Sequence, residues 1–269
     1  MNSSWISFFE LPAQPDPFRQ RFPLLDSPWP ITSIIVGYLL FVLKLGKIFM
    51  EHRKPYNIKK VIIAYNTFQV IYNGILFGFA IYYLIIRRTY DKRCMLHLPL
   101  YHPDKQTERL LSYAYFINKI IDLLDTVFFV LRKSYKQITT LHVYHHVLMT
   151  YFMYWVFRYY GFGGQYDMMG LLNTFVHSIM YSYYLISVIY PEFRGNLWWK
   201  KYITKMQLLQ FVLLLLQACH VLIFNPTCKF PLFLQYLQVV QSTTMILMFS
   251  NFYYHAYLKP KPQKLQKQQ

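Results

Sequence analysis

The chain alternates long apolar blocks with short polar segments. Seven blocks stand out, at about residues 31–50, 61–86, 110–131, 141–160, 166–189, 203–224 and 230–257. A helix needs roughly 20 apolar residues to cross the hydrocarbon core of a bilayer, so each block predicts a membrane span. Polar residues interrupt the fourth block and the last, which makes six or seven spans the predicted range. No period of 20–50 residues recurs, and only the Lys/Gln-rich tail is low in complexity. The stretch WISFFELPAQPDPF carries acids and prolines and no basic n-region, so it does not read as a signal peptide.

Composition points the same way. Of 269 residues, 55% are hydrophobic and only 14% charged, against about 25% charged in soluble domains. The expectation is an all-α integral membrane protein of one domain over 1–269: an N-terminal segment 1–30, a transmembrane bundle 31–257 and a basic tail 258–269. The net charge is +17. Lys and Arg are denser in segments 47–60, 132–140, 190–202 and the tail than in the segments between them. The positive-inside rule then places the N-terminus on the lumenal side and the C-terminus in the cytosol. The run from Arg87 to Arg93 opposes this bias. The charge also suits a polyanionic substrate such as a CoA nucleotide, and both uses stay open. Membrane lipid is an expected partner and nucleic acid is not.

Three cysteines are present. Cys94 and Cys228 fall in loops on the non-cytosolic side of this topology, where an oxidising lumen would permit a disulfide. Cys219 lies inside the sixth block and reads as a small core residue. Asn2-Ser3-Ser4 is a glycosylation sequon on the same side as Cys94.

Several blocks contain residues that a bilayer does not welcome. The third carries Lys119, Asp122, Asp125 and Thr126, with Lys119 and Asp122 spaced to pair on one face. The fifth places Asn173, His177, Met180 and Tyr184 on one helical stripe, with Tyr183 beside it. The sixth has Thr204, Gln207, Gln210 and Gln217, and the seventh Gln235, Gln238, Gln241 and Ser242. Intramembrane polar residues face a bundle interior and often mark a site; Gln and Thr also serve as interhelical glue. The densest feature is LHVYHHV, which puts His142, His145 and His146 within one helical turn.

Imidazole suits metal binding and proton or acyl transfer alike. A di-iron desaturase or hydroxylase needs enough His and carboxylate ligands for two metals. The nine histidines here, at 52, 97, 102, 142, 145, 146, 177, 220 and 255, form one dense box, which argues against that reading and for an expectation of no metal. A non-enzymatic transporter or receptor accounts for the spans but not for three His in one turn. Acyl transfer accounts for both. A His can serve it as nucleophile, forming an acyl-imidazole, or as general base; a Cys route is disfavoured, because the only intramembrane Cys, Cys219, has no basic neighbour to activate it.

Four motifs carry a resemblance. HVYHH (142–146) matches HxxHH, NTFVHSIMYSYY (173–184) matches NxxxHxxMYxYY, TKMQLLQ (204–210) matches TxxQxxQ, and KIIDLLDT (119–126) matches KxxExxDT with Asp122 in place of Glu. In this order the chain resembles, over nearly its whole length, the family for elongation of very long chain fatty acids, the ER 3-oxoacyl-CoA synthases. The resemblance implies seven helices, six of them enclosing a narrow tunnel, and condensation of a long-chain acyl-CoA with malonyl-CoA without a further cofactor. It implies an acyl group carried on His145, with His177 as the second catalytic His. His142 and His146 share the box, His142 as a substrate contact and His146 as an orienting neighbour. Lys119, Arg132, Gln137, Asn173, Tyr183, Lys200, Thr204 and Gln207 correspond to substrate-contacting positions, and Asp122, Asp125 and Thr126 to orienting ones. A lumenal disulfide Cys94–Cys228, residence in the ER membrane, contact with the other enzymes of the elongation cycle and a homodimer are further expectations. The chain departs from the family pattern at His255, where Arg is frequent, and in the tail KLQKQQ, which lacks a dilysine signal.

Overall fold

Seven helical rods correspond to the seven apolar blocks. In chain order, α1 spans Pro28–Met50, α2 Lys59–Ile86, α3 residues 105–131, α4 residues 140–159, α5 Tyr166–Ile189, α6 Leu197–Phe224 and α7 Leu232–Leu258. The computed structural model describes residues 16–195 and 197–259, and among these there is no strand. Residues 1–15, including the Asn2 sequon, and the tail from residue 260 lie outside the described residues.

Four rods are long and apolar enough to cross a membrane by length and composition: α1, α2, residues 199–224 of α6, and α7. Block seven, expected to be among the weaker spans, is one of them. The other three, α3, α4 and α5, carry the buried charges and histidines that dilute their hydropathy. They are also the rods that build the site. Two starts lie earlier than hydropathy suggests. α3 begins at Lys105 because its charges are matched: Lys105 pairs with Glu108, and Arg109 Nε donates to Asp16 Oδ2 at 2.8 Å. α6 begins at Leu197, taking in Lys200 and Lys201 at the edge of the bundle.

Polarity along α2 is inverted relative to a soluble helix. Phe68, Ile71, Ile75 and Phe79 point outward and are exposed, while Asn66, Gln69 and Asn73 are buried. Such a helix is stable only where lipid takes the place of water. α2 lies along α5, and α6 lies along both α5 and α7. α1 stands against α3, and the approach is close at Gly46, where a Cβ would sit 2.6 Å from Val130 Cγ1.

One end of the bundle is tied across. Cys94, between α2 and α3, is disulfide-bonded to Cys228, between α6 and α7, with Cα atoms 5.5 Å apart. At the same end, Gly161, Gly163 and Gly164 carry the α4–α5 connection with φ of 98°, 87° and 71°, a left-handed path that side chains disfavour. The opposite end holds the basic connections α1–α2, α3–α4 and α5–α6.

Candidate active site

Thr139 starts the histidine helix. Its hydroxyl accepts from the backbone N–H of His142 at 3.2 Å, capping α4 so that the box occupies the first turns. Just beyond the box, residues Leu148–Phe152 widen into a π-helical turn. Such a turn shifts the register of the remaining helix and often marks a functional segment. Within it, Thr150 Oγ1 donates to the backbone carbonyl of Lys119 at 3.0 Å, fixing α4 against α3.

The three imidazoles have different surroundings. His142 Nε2 lies 2.8 Å from Thr126 Oγ1 on α3, which in turn lies 2.8 Å from Tyr38 OH on α1. His146 is buried, with its ring 4.3 Å from His142 and 5.7 Å from His145. His145 has no hydrogen bond to the described residues, and its Nδ1 is buried without a partner. Across from it stands His177 of α5, with ring centroids 6.5 Å apart.

His177 is backed by an ion pair. Lys119 and Asp122 are both about 1% exposed. The Lys119 ammonium donates to Asp122 Oδ2 at 2.8 Å and to Asn173 Oδ1 at 2.9 Å, and lies 3.4 Å from His177 Nδ1. A lysine has three donors, and this one has three neighbours for them. Asp122 lies in the turn that divides α3 between Ile121 and Leu124. Its Oδ1 accepts from Gln69 of α2 at 2.8 Å and from Tyr181 of α5 at 3.1 Å. The single Tyr181 proton is shared between this contact and the shorter one to Asp125 Oδ2 at 2.6 Å. A buried carboxylate–ammonium pair is tolerable only with its remaining lone pairs satisfied in this way.

A cavity of about 370 Å³ opens in front of these groups, walled by α3 to α7 and reaching the basic end of the bundle. His142, His145, His146, Asn173, His177, Tyr183, Thr204, Gln207 and Asp125 line it, with Gln137 and Lys200 near the basic end. Four expected residues are not on its wall. Lys119, Asp122 and Thr126 stand behind it: Lys119 contacts Asn173 and His177, Asp122 pairs with Lys119, and Thr126 contacts His142. Arg132 ends α3, its N–H bonded to the Phe128 carbonyl. Among the described residues, no group of three or more His, Cys, Asp or Glu is placed to hold a metal ion.

Tyr38, Gln69 and Asn73 belong to the same polar network but do not stand out in the sequence, whereas Tyr181 lies in the NxxxHxxMYxYY motif. Asn66, Gln69 and Asn73 at i, i+3 and i+7 of the second block were the readable signal for a polar helix face there.

Fold and site together define a polytopic membrane protein with a histidine centre buried among its helices. A model of the GNS1/SUR4 (ELO) family matches residues 23–265, and the chain belongs to that family. It is 44% identical over 240 residues to very long chain fatty acid elongase F of Drosophila melanogaster, spanning 89% of this chain and 93% of that protein. It is 35% identical over 262 residues to very long chain fatty acid elongase 1 of Mus musculus, spanning 94% and 90%. With very long chain fatty acid elongase 4 of Homo sapiens it shares 35% identity over 253 residues, 91% of this chain and 76% of that one.

Proposed function

We propose that this protein is a fatty acid elongase acting at the condensation step, a 3-oxoacyl-CoA synthase. A long-chain acyl-CoA and malonyl-CoA give a 3-oxoacyl-CoA two carbons longer, with release of CO2 and CoA. The observation that carries this reading is the pairing of an unbonded imidazole, His145, with a firmly held one, His177, on the wall of one intramembrane cavity. The elongase names of its relatives supply the substrate class.

In this reading the cavity is part of a tunnel enclosed by six helices, with α1 outside. CoA phosphates meet basic residues at the cytosolic mouth, Lys200 and Arg132 among them, and the acyl tail lies inside. The His145 imidazole attacks the thioester carbonyl, the C–S bond breaks, and the imidazole N–H proton leaves with the CoA thiolate as thiol. Malonyl-CoA then loses CO2, and the electron pair of the broken C–C bond attacks the acyl carbon. The imidazole departs and takes a proton from solvent.

Charge develops on carbonyl oxygens in both steps and needs fixed donors. With Lys119 donating to Nδ1, His177 carries its proton on Nε2, toward the cavity. Asn173 has its Oδ1 occupied by Tyr115 and Lys119, so its amide N–H groups are the donors left for substrate. The basic end is cytosolic and the disulfide end lumenal, in the ER membrane. The other steps of the cycle fall to separate enzymes, natural neighbours for this one.

The test is direct. Purified protein in lipid nanodiscs is given a long-chain acyl-CoA and malonyl-CoA labelled at C2. The proposal expects a labelled 3-oxoacyl-CoA and one CO2 per product. Transport or binding of acyl-CoA with no carbon–carbon bond formed overturns it.

A further inference from the structure

We propose that Gln69 is a positioning residue for this site, setting the Asp122 carboxylate and through it Lys119 and His177. The inference deepens the condensation reading and rests on it. Gln69 belongs to α2, which contributes no residue to the cavity wall. Its side chain is wholly buried, and its hydrogen-bond partners Tyr65, Asp122 and Asn73 are not on the cavity wall. Even so, it is the contact through which α2 reaches the carboxylate.

The direction of the bonds is fixed by chemistry. A carboxylate only accepts, so the 2.8 Å contact to Asp122 Oδ1 is made by Gln69 Nε2 as donor. Gln69 Oε1 must then be the atom that accepts from Asn73 Nδ2 at 2.9 Å. Asn73 Oδ1 in turn accepts from Asn118 Nδ2 at 3.0 Å. Three amides therefore line up Asn118 to Asn73 to Gln69, all donating toward Asp122. Asn73 and Asn118 are wholly buried like Gln69, so each bond is made where an unmade one is costly.

The bridge also has a definite length. Aspartate keeps its carboxylate one methylene from the α3 backbone, and glutamine on α2 covers the remaining distance. Oδ1 is thereby taken by Gln69 and Tyr181, and Oδ2 is left to Lys119 at 2.8 Å, with His177 Nδ1 3.5 Å away. Without Gln69 the carboxylate loses its closest Oδ1 donor and is held by Tyr181 and Lys119 alone, which loosens the ion pair behind His177. A residue that merely glues α2 to α3 would not need this length.

The test moves one methylene across the bridge. Gln69→Asn, Asp122→Glu, the pair of them together, and Gln69→Leu are assayed for condensation beside the wild type, with thermal unfolding measured on each. Gln69→Leu is expected to lower kcat about 10- to 100-fold with KM for acyl-CoA within about twofold, the scale of a lost hydrogen bond to a charged group. Each single length change is expected to lower kcat, and the double change to recover at least about tenfold over the worse single. Folded Gln69→Leu protein with wild-type kcat, or a double variant no better than the worse single, overturns the proposal. So does a loss expressed only in KM or only in unfolding temperature. A wild-type protein that forms no 3-oxoacyl-CoA fails the condensation reading itself and the positioning role with it.

Discussion

Thr126 Oγ1 and His142 Nε2 stand 2.8 Å apart across the interface of α3 and α4. Tyr38 of α1 reaches the same hydroxyl at 2.8 Å, so a helix outside the cavity wall supports a histidine on it. A hydroxyl has one proton to give and two lone pairs, so Tyr38 and His142 cannot both accept from it. Thr126→Val removes both bonds and leaves the buried Tyr38 hydroxyl and the half-buried His142 ring without that partner. It is expected to cost about 1–3 kcal/mol of stability and to lower turnover. Tyr38→Phe leaves the Thr126–His142 bond intact and is expected to cost about 1 kcal/mol, with a smaller effect on turnover. Thermal unfolding and condensation assays on both variants check the order.

Lys119 and Asp122 separate stability from activity. Lys119→Met leaves the buried carboxylate of Asp122 uncompensated and is expected to destabilise by about 3–5 kcal/mol. Adding Asp122→Leu removes the stranded charge, and the double variant is expected to regain most of the unfolding temperature. Turnover is expected to stay absent, because His177 and Asn173 have lost the ammonium that orders them. Recovery of activity with stability would show that the pair serves packing alone.

The disulfide closes a loop of 134 residues. In the chain-entropy account a closure of that size stabilises by up to about 4–5 kcal/mol. Structure retained in the reduced, unfolded chain lowers the value below that figure. A loss of about 2–4 kcal/mol is therefore expected for Cys94→Ser with Cys228→Ser, and reductant on the wild type is expected to match it. Alkylation of unfolded, unreduced protein is expected to label Cys219 alone, read by mass spectrometry.

His97 gives the disulfide end a pH response. It stacks on Phe230 at 5.2 Å, and its Nε2 is buried without a partner. Burial first, and the nearby Lys105 second, push its pKa down to about 3. Below pH 6.5 the unfolded chain binds a proton there and the folded one does not. This contribution to stability is therefore whole above pH 6.5 and falls as pH drops toward 3. His97→Phe keeps the ring stack and removes the titration. Between pH 7 and 5 the variant is expected to lose less stability than the wild type, by up to roughly 2 kcal/mol.

Helix number, the order of the polar faces and the histidine centre were legible in the sequence, because lipid makes each buried polar residue conspicuous. What lay outside its reach were interactions that hydropathy treats as noise. The start of α3 depends on Lys105 finding Glu108 and on Arg109 finding Asp16. The division of α3 at Asp122 and the π turn after the histidines occur where no Gly or Pro breaker stands. The spacing of Lys119 and Asp122 predicts their pairing, and the structure has it; the other donors of Lys119 look available to substrate in sequence, and only the fold shows Asn173 and His177 around them. Gln69 and Asn73 are easily passed over for the opposite reason: they sit in a long apolar block where only their spacing with Asn66 marks a polar face.

The central claim is that His145 carries the acyl group. Purified protein is incubated with a long-chain acyl-CoA alone, released CoA is counted, and the protein is digested for mass spectrometry. The account predicts close to one CoA released per chain before malonyl-CoA is added, the acyl mass on the peptide holding His145, and loss of both in His145→Ala. No adduct and no CoA release, under conditions where adding malonyl-CoA gives full turnover, would contradict it.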